Sequence, residues 1–125
     1  VIGVPHTDKG AFTFHLYESH PGLERLTWEK EWVPMDFDQS ETIVIPALRL
    51  QHRTRNDIRA IYHRVVANEE TARIGRFSAV CFLDFASSPY FDKSQFGRQQ
   101  DQPIGFNYDL PFPEFAKFFT EEQGG

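Results

Sequence analysis

The strongest indication of the fold is the stretch Ala11-Phe12-Thr13-Phe14-His15-Leu16. Successive side chains of an extended chain point to opposite faces. The phenylalanine and leucine side chains therefore share one face, and His15 lies on the other face with Ala11 and Thr13. This alternation predicts a β-strand.

Short apolar runs of the same kind recur along the chain, separated by turn-forming residues. Eight glycines and eight prolines divide the sequence, and short runs between turn signals favour strands. Further strands are predicted at Trp28–Met35, with a hairpin turn near Glu29-Lys30, and at Thr42–Pro46, Arg59–Val66 and Arg76–Phe85. The polar stretch Ala67–Gly75 is predicted to be a hairpin loop between the last two strands.

One helix is predicted near the carboxyl end. It begins after Pro111, where Pro113 fits the first turn, and runs to Phe119 before the polar tail. An aromatic stripe at helical spacing predicts a face that packs against the sheet: Phe112, Phe115, Phe118 and Phe119. The long segment Ala86–Asp109 is expected to lie across an opening. These elements together predict an all-β barrel or double-sheet jelly roll with a C-terminal helix.

The size and composition of the chain limit the classes of protein to which it can belong. The chain has 125 residues, of which 40% are hydrophobic, so we expect a single domain over residues 1–125. No apolar run is long enough to span a membrane, and a net charge of −5 speaks against nucleic acid as a partner. The single cysteine, Cys81, forms no internal disulfide, so a cytoplasmic location is expected.

Two histidines and a carboxylate stand out as candidate metal ligands. In an extended chain His6 and Asp8 project to one spot, although a turn is the commoner interpretation of such a triplet. His63 lies in an otherwise apolar run, where a structural histidine is the commoner case. On separate strands of a jelly roll the three side chains can form a facial triad for Fe(II), which leaves three positions for cosubstrate and dioxygen.

A candidate carboxylate receptor lies at the start of the last predicted strand. Arg76 and Ser78 share one face, and Val80 and Phe82 are expected to continue that face into an apolar interior. A guanidinium beside a hydroxyl suits a carboxylate ligand. The alternative is a salt bridge at the rim of the fold.

The motifs His6-Thr7-Asp8, His63-Arg64-Val65 and Arg76-Phe77-Ser78 resemble, in order and spacing, a known family pattern. It is the HxD…H…RxS pattern of Fe(II)- and 2-oxoglutarate-dependent oxygenases of the isopenicillin N synthase-like superfamily. The stretch Ala11–Leu16 resembles the strand after the family's first motif, and Glu31–Pro34 resembles its hairpin return. The resemblance covers about the first 85 residues.

The resemblance implies a double-stranded β-helix, which is a jelly roll, and a division of roles among the candidate residues. His6, Asp8 and His63 would hold Fe(II), and Arg76 with Ser78 would bind the distal carboxylate of 2-oxoglutarate. The implied reaction uses dioxygen and releases succinate and CO₂ while a small organic substrate is hydroxylated or desaturated. Ascorbate is a candidate reductant.

The sequence departs from the family pattern in three places, one of which is Pro46-Ala47-Leu48-Arg49 where the family has an acidic turn. The chain begins five residues before His6 and resembles only the catalytic carboxy-terminal part of the family. We therefore expect a marginally stable or self-associating unit, or one completed by a missing N-terminal segment, with Pro5–Leu16 as an edge strand. Arg73 competes with Arg76 for the carboxylate, but it has no hydroxyl residue two positions on.

The remaining basic residues and histidines give weaker indications of function. A local basic cluster is interpreted as a solvated hairpin tip or as a contact for an anionic substrate or partner: Arg49, His52, Arg53, Arg55 and Arg59. His15 and His20 are interpreted as structural or exposed. Two alternative functions stay open: an iron oxidase of the same superfamily that does not use 2-oxoglutarate, and a degenerate jelly roll that binds metal as an interaction module.

Overall fold

The computed structural model of the protein describes residues 1–85 and 108–123. In these residues the elements follow the order β1 (Gly3–His6), β2 (Phe12–Glu18), β3 (Leu23–Leu26), β4 (Trp32–Pro34), β5 (Ile43–Pro46), α1 (Leu48–Arg53), β6 (His63–Val65), α2 (Glu69–Ile74), β7 (Ser78–Leu83) and α3 (Phe112–Gln123). The predicted segment Ala86–Asp109 lies outside the described residues except for its last two.

The strands form two antiparallel sheets. One sheet has the order β1-β6-β3-β4, and the other has the order β5-β2-β7. Except for β3 and β4, neighbouring strands are distant in sequence, and the chain passes repeatedly between the sheets, as a jelly roll requires. The predicted all-β jelly roll with a C-terminal helix is confirmed.

The hairpin predicted around Glu29-Lys30 is confirmed. β3 and β4 pair through Glu24 with Pro34 and Leu26 with Trp32, and Lys30 takes the left-handed conformation with φ 65°. The predicted strand Arg59–Val66 is shorter than expected. The backbone N–H of Ala60 donates to the side chain of Gln51, so this part of the chain is held outside the sheet ladder.

The stretch Ala67–Gly75 is not a hairpin loop, which corrects the prediction. It contains the short helix α2, and the strands on either side of it, β6 and β7, belong to different sheets. Asn68 caps the helix: its side chain accepts from the backbone N–H of Thr71, and the Thr71 hydroxyl accepts from the backbone N–H of Asn68, both at 2.8 Å. This reciprocal capping box makes a polar stretch helical.

The C-terminal helix is confirmed, and in the described residues its buried cluster is formed with the helix α1 and with Tyr108, where the prediction placed it against the sheet. Phe115 and Phe119 of α3 form a buried cluster with Leu48 of α1 and with Tyr108. The phenol of Tyr108 accepts a hydrogen bond of 2.8 Å from the amide of Gln51. The prediction that the aromatic stripe is a packing face is therefore confirmed. The element it packs on is α1, whereas the prediction named the sheet.

The predicted edge strand Pro5–Leu16 is two strands with different positions. β1 lies at the edge of its sheet, whereas β2 is the central strand of the other sheet. The break between them is held by α1, because the backbone N–H groups of Leu48 and Arg49 donate to the carbonyls of Asp8 and Gly10. This connection carries the chain from one sheet to the other at Asp8.

Candidate functional site

The fold brings His6, Asp8 and His63 together. His6 ends β1 and His63 begins β6, and the antiparallel register makes these two residues direct partners. Directly opposed residues on antiparallel strands point to the same face, and the two imidazole ring centroids lie 4.5 Å apart. Asp8 follows in the connection to β2 and turns its carboxylate toward both rings.

The distances within this His6–Asp8–His63 cluster suit a single metal ion. Asp8 Oδ1 lies 3.2 Å from His6 Nε2 and 3.6 Å from His63 Nε2. One ligand atom from each residue falls within 4.8 Å of the others. Ligands about 2.1 Å from a metal and at right angles to each other are roughly 3 Å apart, so the two distances to Asp8 Oδ1 are close to those that one face of an octahedron requires.

The other ring nitrogen of each histidine, Nδ1, forms a hydrogen bond with a backbone carbonyl. His6 Nδ1 lies 2.6 Å from the carbonyl oxygen of Val4, and His63 Nδ1 lies 2.9 Å from that of Ile61. A carbonyl only accepts, so each Nδ1 carries a proton, and in the neutral form of the ring Nε2 then presents its lone pair. Burial is the main cause that lowers the pKa of His63, which favours the neutral, ligating form.

Thr13 orients the carboxylate of the cluster. Its hydroxyl donates to Asp8 Oδ2 at 2.5 Å, which leaves Oδ1 for the histidines. The Asp8 side chain is only 9% exposed, whereas that of His6 is 43% exposed. The cluster is therefore enclosed at the carboxylate and open to solvent at His6.

Arg76 lies on the interior of the fold, but it is already paired. Its Nη2 donates to Glu18 Oε2 at 2.6 Å and its Nε donates to the carbonyl of His20 at 2.8 Å. Both side chains of the ion pair are buried, at 4% and 9% exposure. Among the described residues only Nη1 is left without an acceptor. Arg73, the competing residue, is exposed on α2.

Glu18 was missed by the sequence analysis because β2 contains a bulge. The pairing between β2 and β7 shifts between His15 and Tyr17, so that Glu18 is paired with Ser78. Strict alternation would place Tyr17 on the face of His15. The extra residue puts Glu18 there instead, and alternation in the sequence carries no sign of it.

The inner face of β2 is a row of polar side chains that joins the two parts of the site. Thr13, His15 and Glu18 are 3%, 4% and 9% exposed. Thr13 contacts the His6–Asp8–His63 cluster, Glu18 contacts Arg76, and His15 lies between them on the same face. The phenylalanine face of this strand, by contrast, is half-buried on the outside.

Ser78, Val80 and Phe82 lie on the predicted face of β7 but not in an apolar interior. Their register partners Glu18, His15 and Thr13 are buried, yet Phe82 is 67% exposed and Val80 is 38% exposed. The expectation of a closed interior at this strand is therefore wrong for the described residues. β7 pairs only with β2, and nothing described covers its far side.

The basic cluster is not a hairpin tip, because its residues lie on α1 and in the turns that follow. Its cations stack on aromatic rings or form ion pairs. Arg49 lies over Phe112 and within 2.9 Å of Asp84, Arg53 lies over Phe85, Arg55 is 2.7 Å from Asp109, and Arg59 lies over Trp28. These contacts tie α1 to its surroundings, so the predicted solvated hairpin tip is wrong, and the alternative of a contact for an anionic substrate or partner stays a prediction.

The other histidines outside the cluster have different environments. His52 Nε2 lies 2.7 Å from the carbonyl oxygen of Leu110, and the His20 ring lies near Glu70 at the surface. No helix in the described parts of the chain has both the length and the apolar character needed to cross a membrane.

Comparisons with known proteins agree with this geometry. The model of the 2OG-Fe(II) oxygenase superfamily matches residues 2–85. A protein of Didymella fabae described as a 2-oxoglutarate-dependent dioxygenase is 34% identical over 106 residues, which are 84% of this chain and 30% of that protein.

Two solved structures share the fold. A 2OG-Fe(II) oxygenase family protein from Caulobacter crescentus superposes with a TM-score of 0.72 and 24% identity, over 97% of this chain and 40% of its own. A full-length Neurospora crassa protein, solved in complex with alpha-KG (2-oxoglutarate), has a TM-score of 0.60 and 22% identity, over 67% of this chain and 28% of its own. The chain thus spans less than half the length of these relatives.

Proposed function

Because the chain belongs to the 2OG-Fe(II) oxygenase superfamily, we propose that it catalyses the oxidation of a small organic substrate with Fe(II), 2-oxoglutarate and dioxygen. When bound, the iron would supply the means to activate dioxygen, which is the oxidant: two of the four electrons it takes come from the decarboxylation of 2-oxoglutarate to succinate and CO₂, and two come from the hydroxylation or desaturation of a C–H bond. The observation that carries the proposal is the convergence of His6, Asp8 and His63.

The three residues of the cluster hold Fe(II) in this proposal. Two imidazole nitrogens and one carboxylate oxygen are the donor set of non-haem iron oxygenases. In the neutral imidazoles the hydrogen bonds to the carbonyls of Val4 and Ile61 favour the tautomer with the proton on Nδ1, which leaves the Nε2 lone pairs for a metal, and Thr13 keeps Asp8 Oδ1 turned toward them. The donors are therefore oriented before the metal arrives, which lowers the cost of binding it.

Arg76 and Ser78 bind the distal carboxylate of 2-oxoglutarate in this proposal. Glu18 and the His20 carbonyl hold the guanidinium at a set position on the inner side of the fold. Nη1 remains available to a ligand carboxylate. Ser78, which is paired with Glu18 in the sheet register, contributes its hydroxyl beside it.

The experiment that tests the function combines metal binding with cosubstrate turnover. Protein with Fe(II) is expected to convert 2-oxoglutarate to succinate, and His6→Ala is expected to lose both metal and turnover because a three-donor site cannot spare one ligand. His20→Ala, which removes a partly exposed imidazole and keeps the backbone carbonyl that contacts Arg76, is the control for metal binding. If His6→Ala binds metal as tightly as the parent protein, the assignment of the cluster is wrong.

A second pair of variants tests the carboxylate receptor. Arg76→Ala is expected to weaken 2-oxoglutarate binding by about 2 to 4 kcal/mol, as a charged hydrogen-bonded contact would, and to affect metal binding less. Arg73→Ala is the matched control on α2. Loss of cosubstrate binding in Arg73→Ala alone would contradict the choice of Arg76. Metal binding without any consumption of 2-oxoglutarate would contradict the proposed function and leave the 2-oxoglutarate-independent oxidase and the metal-binding interaction module as the alternatives.

A further inference from the structure

A third buried side chain on the inner face of β2 has no role in the function proposed so far. His15 is 4% exposed, and its Nε2 is buried without a hydrogen-bond partner among the described residues. Its ring meets that of Phe37 edge to face, with centroids 5.4 Å apart, so one side of the imidazole is held by packing. A buried polar atom with no partner is costly unless something else satisfies it.

The position of His15 indicates where a hydrogen-bond partner for its Nε2 would lie. Along the inner face of β2, His15 lies between Thr13, which contacts Asp8, and Glu18, which contacts Arg76. Its register partner on β7 is Val80, two residues from Ser78, so Ser78 is its diagonal neighbour on the same face. His15 thus lies between the candidate iron ligands and the candidate carboxylate receptor.

The electrostatic environment favours a neutral imidazole. Burial is the largest cause that lowers the pKa of His15, and the positive charge of Arg76 is the next. A neutral imidazole keeps one N–H to donate. The ring therefore has a hydrogen bond to offer without the cost of an additional buried charge.

The receptor at Arg76 is incomplete without such a donor. A carboxylate has about four acceptor sites, but two of the guanidinium donors of Arg76 are already used by Glu18 and the His20 carbonyl. The negative charge of Glu18 also offsets the positive charge of Arg76. Among the described residues, a ligand carboxylate would find the remaining N–H groups of Nη1 and Nη2 and the hydroxyl of Ser78, so a further neutral donor would strengthen its binding.

We propose that His15 is a cosubstrate-binding residue, whose Nε2–H donates a hydrogen bond to the C5 carboxylate of 2-oxoglutarate beside Arg76 and Ser78. The inference rests on the proposed function, because it takes 2-oxoglutarate as the ligand. It explains why a polar side chain with an unsatisfied nitrogen is kept in the interior.

The test measures binding and not turnover. Protein loaded with Zn(II), an inert substitute for Fe(II), is titrated with 2-oxoglutarate by calorimetry. His15→Leu is expected to raise the dissociation constant for 2-oxoglutarate about tenfold, as loss of a hydrogen bond to a charged group would, and to change the affinity for Zn(II) less than about twofold. His15→Gln, which keeps an N–H at the end of the side chain, is expected to recover part of the loss.

Two controls test whether the loss of 2-oxoglutarate binding arises at the inner face of β2 and at the C5 carboxylate. Tyr17→Phe alters the same strand on its outer face and is expected to leave 2-oxoglutarate binding unchanged. For 2-oxopentanoate, which has a methyl group in place of the C5 carboxylate, His15→Leu is expected to have little effect. An equal loss for both ligands would place the contact at another part of the cosubstrate and overturn the proposal.

The remaining outcomes separate this inference from the function on which it rests. Unchanged 2-oxoglutarate binding in His15→Leu would overturn the role of His15 while the proposed function stands. Absence of 2-oxoglutarate binding in the parent protein would overturn both. Thermal unfolding of the ligand-free variants checks that they fold. His15→Leu is expected to be no less stable than the parent protein, because it removes an unsatisfied buried group.

Discussion

At the scale of single residues, the site depends on groups that hold other groups in place. The histidines of the cluster are oriented by backbone carbonyls two residues earlier in the chain, at Val4 and Ile61. Asp8 is oriented by a side chain, Thr13, on the next strand. A carbonyl cannot be removed by substitution, so Thr13 is the orienting contact that mutagenesis can probe.

Thr13→Val removes this contact and keeps the shape of the side chain. We expect metal affinity to fall by about tenfold or more, the usual effect of losing a hydrogen bond to a metal ligand. Titration with Zn(II) or Mn(II) measures it. Thr27→Val, which alters a hydroxyl in the β3–β4 turn that accepts from Glu31, is the control. Equal metal affinity in the two variants would show that Asp8 needs no support from Thr13.

At the scale of elements, α2 is the connection that carries the chain from the four-stranded sheet to Arg76. It follows β6, which begins at His63, and ends immediately before Gly75 and Arg76. Gly75 adopts φ 85°, a conformation that favours glycine. The start of the helix depends on the capping box formed by Asn68 and Thr71.

Asn68→Ala removes the side-chain half of this capping box. We expect the free energy of unfolding to fall by about 1 kcal/mol, the typical cost of losing a helix N-cap, as measured by urea denaturation. Arg73→Gln on the exposed face of the same helix is the control, with an expected change within about 0.5 kcal/mol. A similar loss in both variants would mean that the cap contributes nothing specific.

At the scale of the whole molecule, the described structure has an exposed strand at the edge of its smaller sheet. β7 pairs only with β2, and every residue of β7 is exposed, including Phe82 at 67%. Phe77, just before the strand, is 70% exposed. A strand edge beside large apolar side chains favours pairing with another chain.

The 125-residue chain is therefore expected to self-associate, and Phe82→Glu is expected to reduce the association by placing a charge on the exposed strand. Sedimentation velocity over a range of concentrations measures the effect. Ile74→Glu, at an exposed apolar residue of α2, is the control. A parent chain that stays monomeric and unfolds cooperatively would contradict this expectation.

The sequence by itself determined the strand-rich fold, the C-terminal helix and the candidate ligands. Alternation in Ala11–Leu16 is a local property, and so are the short runs between turns, because each depends on a few neighbouring residues. His6, Asp8 and His63 could be named from motif order alone. Their assignment as iron ligands stays a proposal. The motifs nevertheless predicted that the three side chains would lie close together.

Only the tertiary structure decided which groups face the candidate ligands. The bulge in β2 puts Glu18 beside Arg76, and the pairing of β1 with β6 puts His6 opposite His63. The capping box turns a predicted hairpin loop into a crossover between sheets. These features depend on register and on contacts between residues far apart in the chain. Local periodicity carries no information about them, because a shift of one residue in pairing leaves the composition unchanged but exchanges the faces.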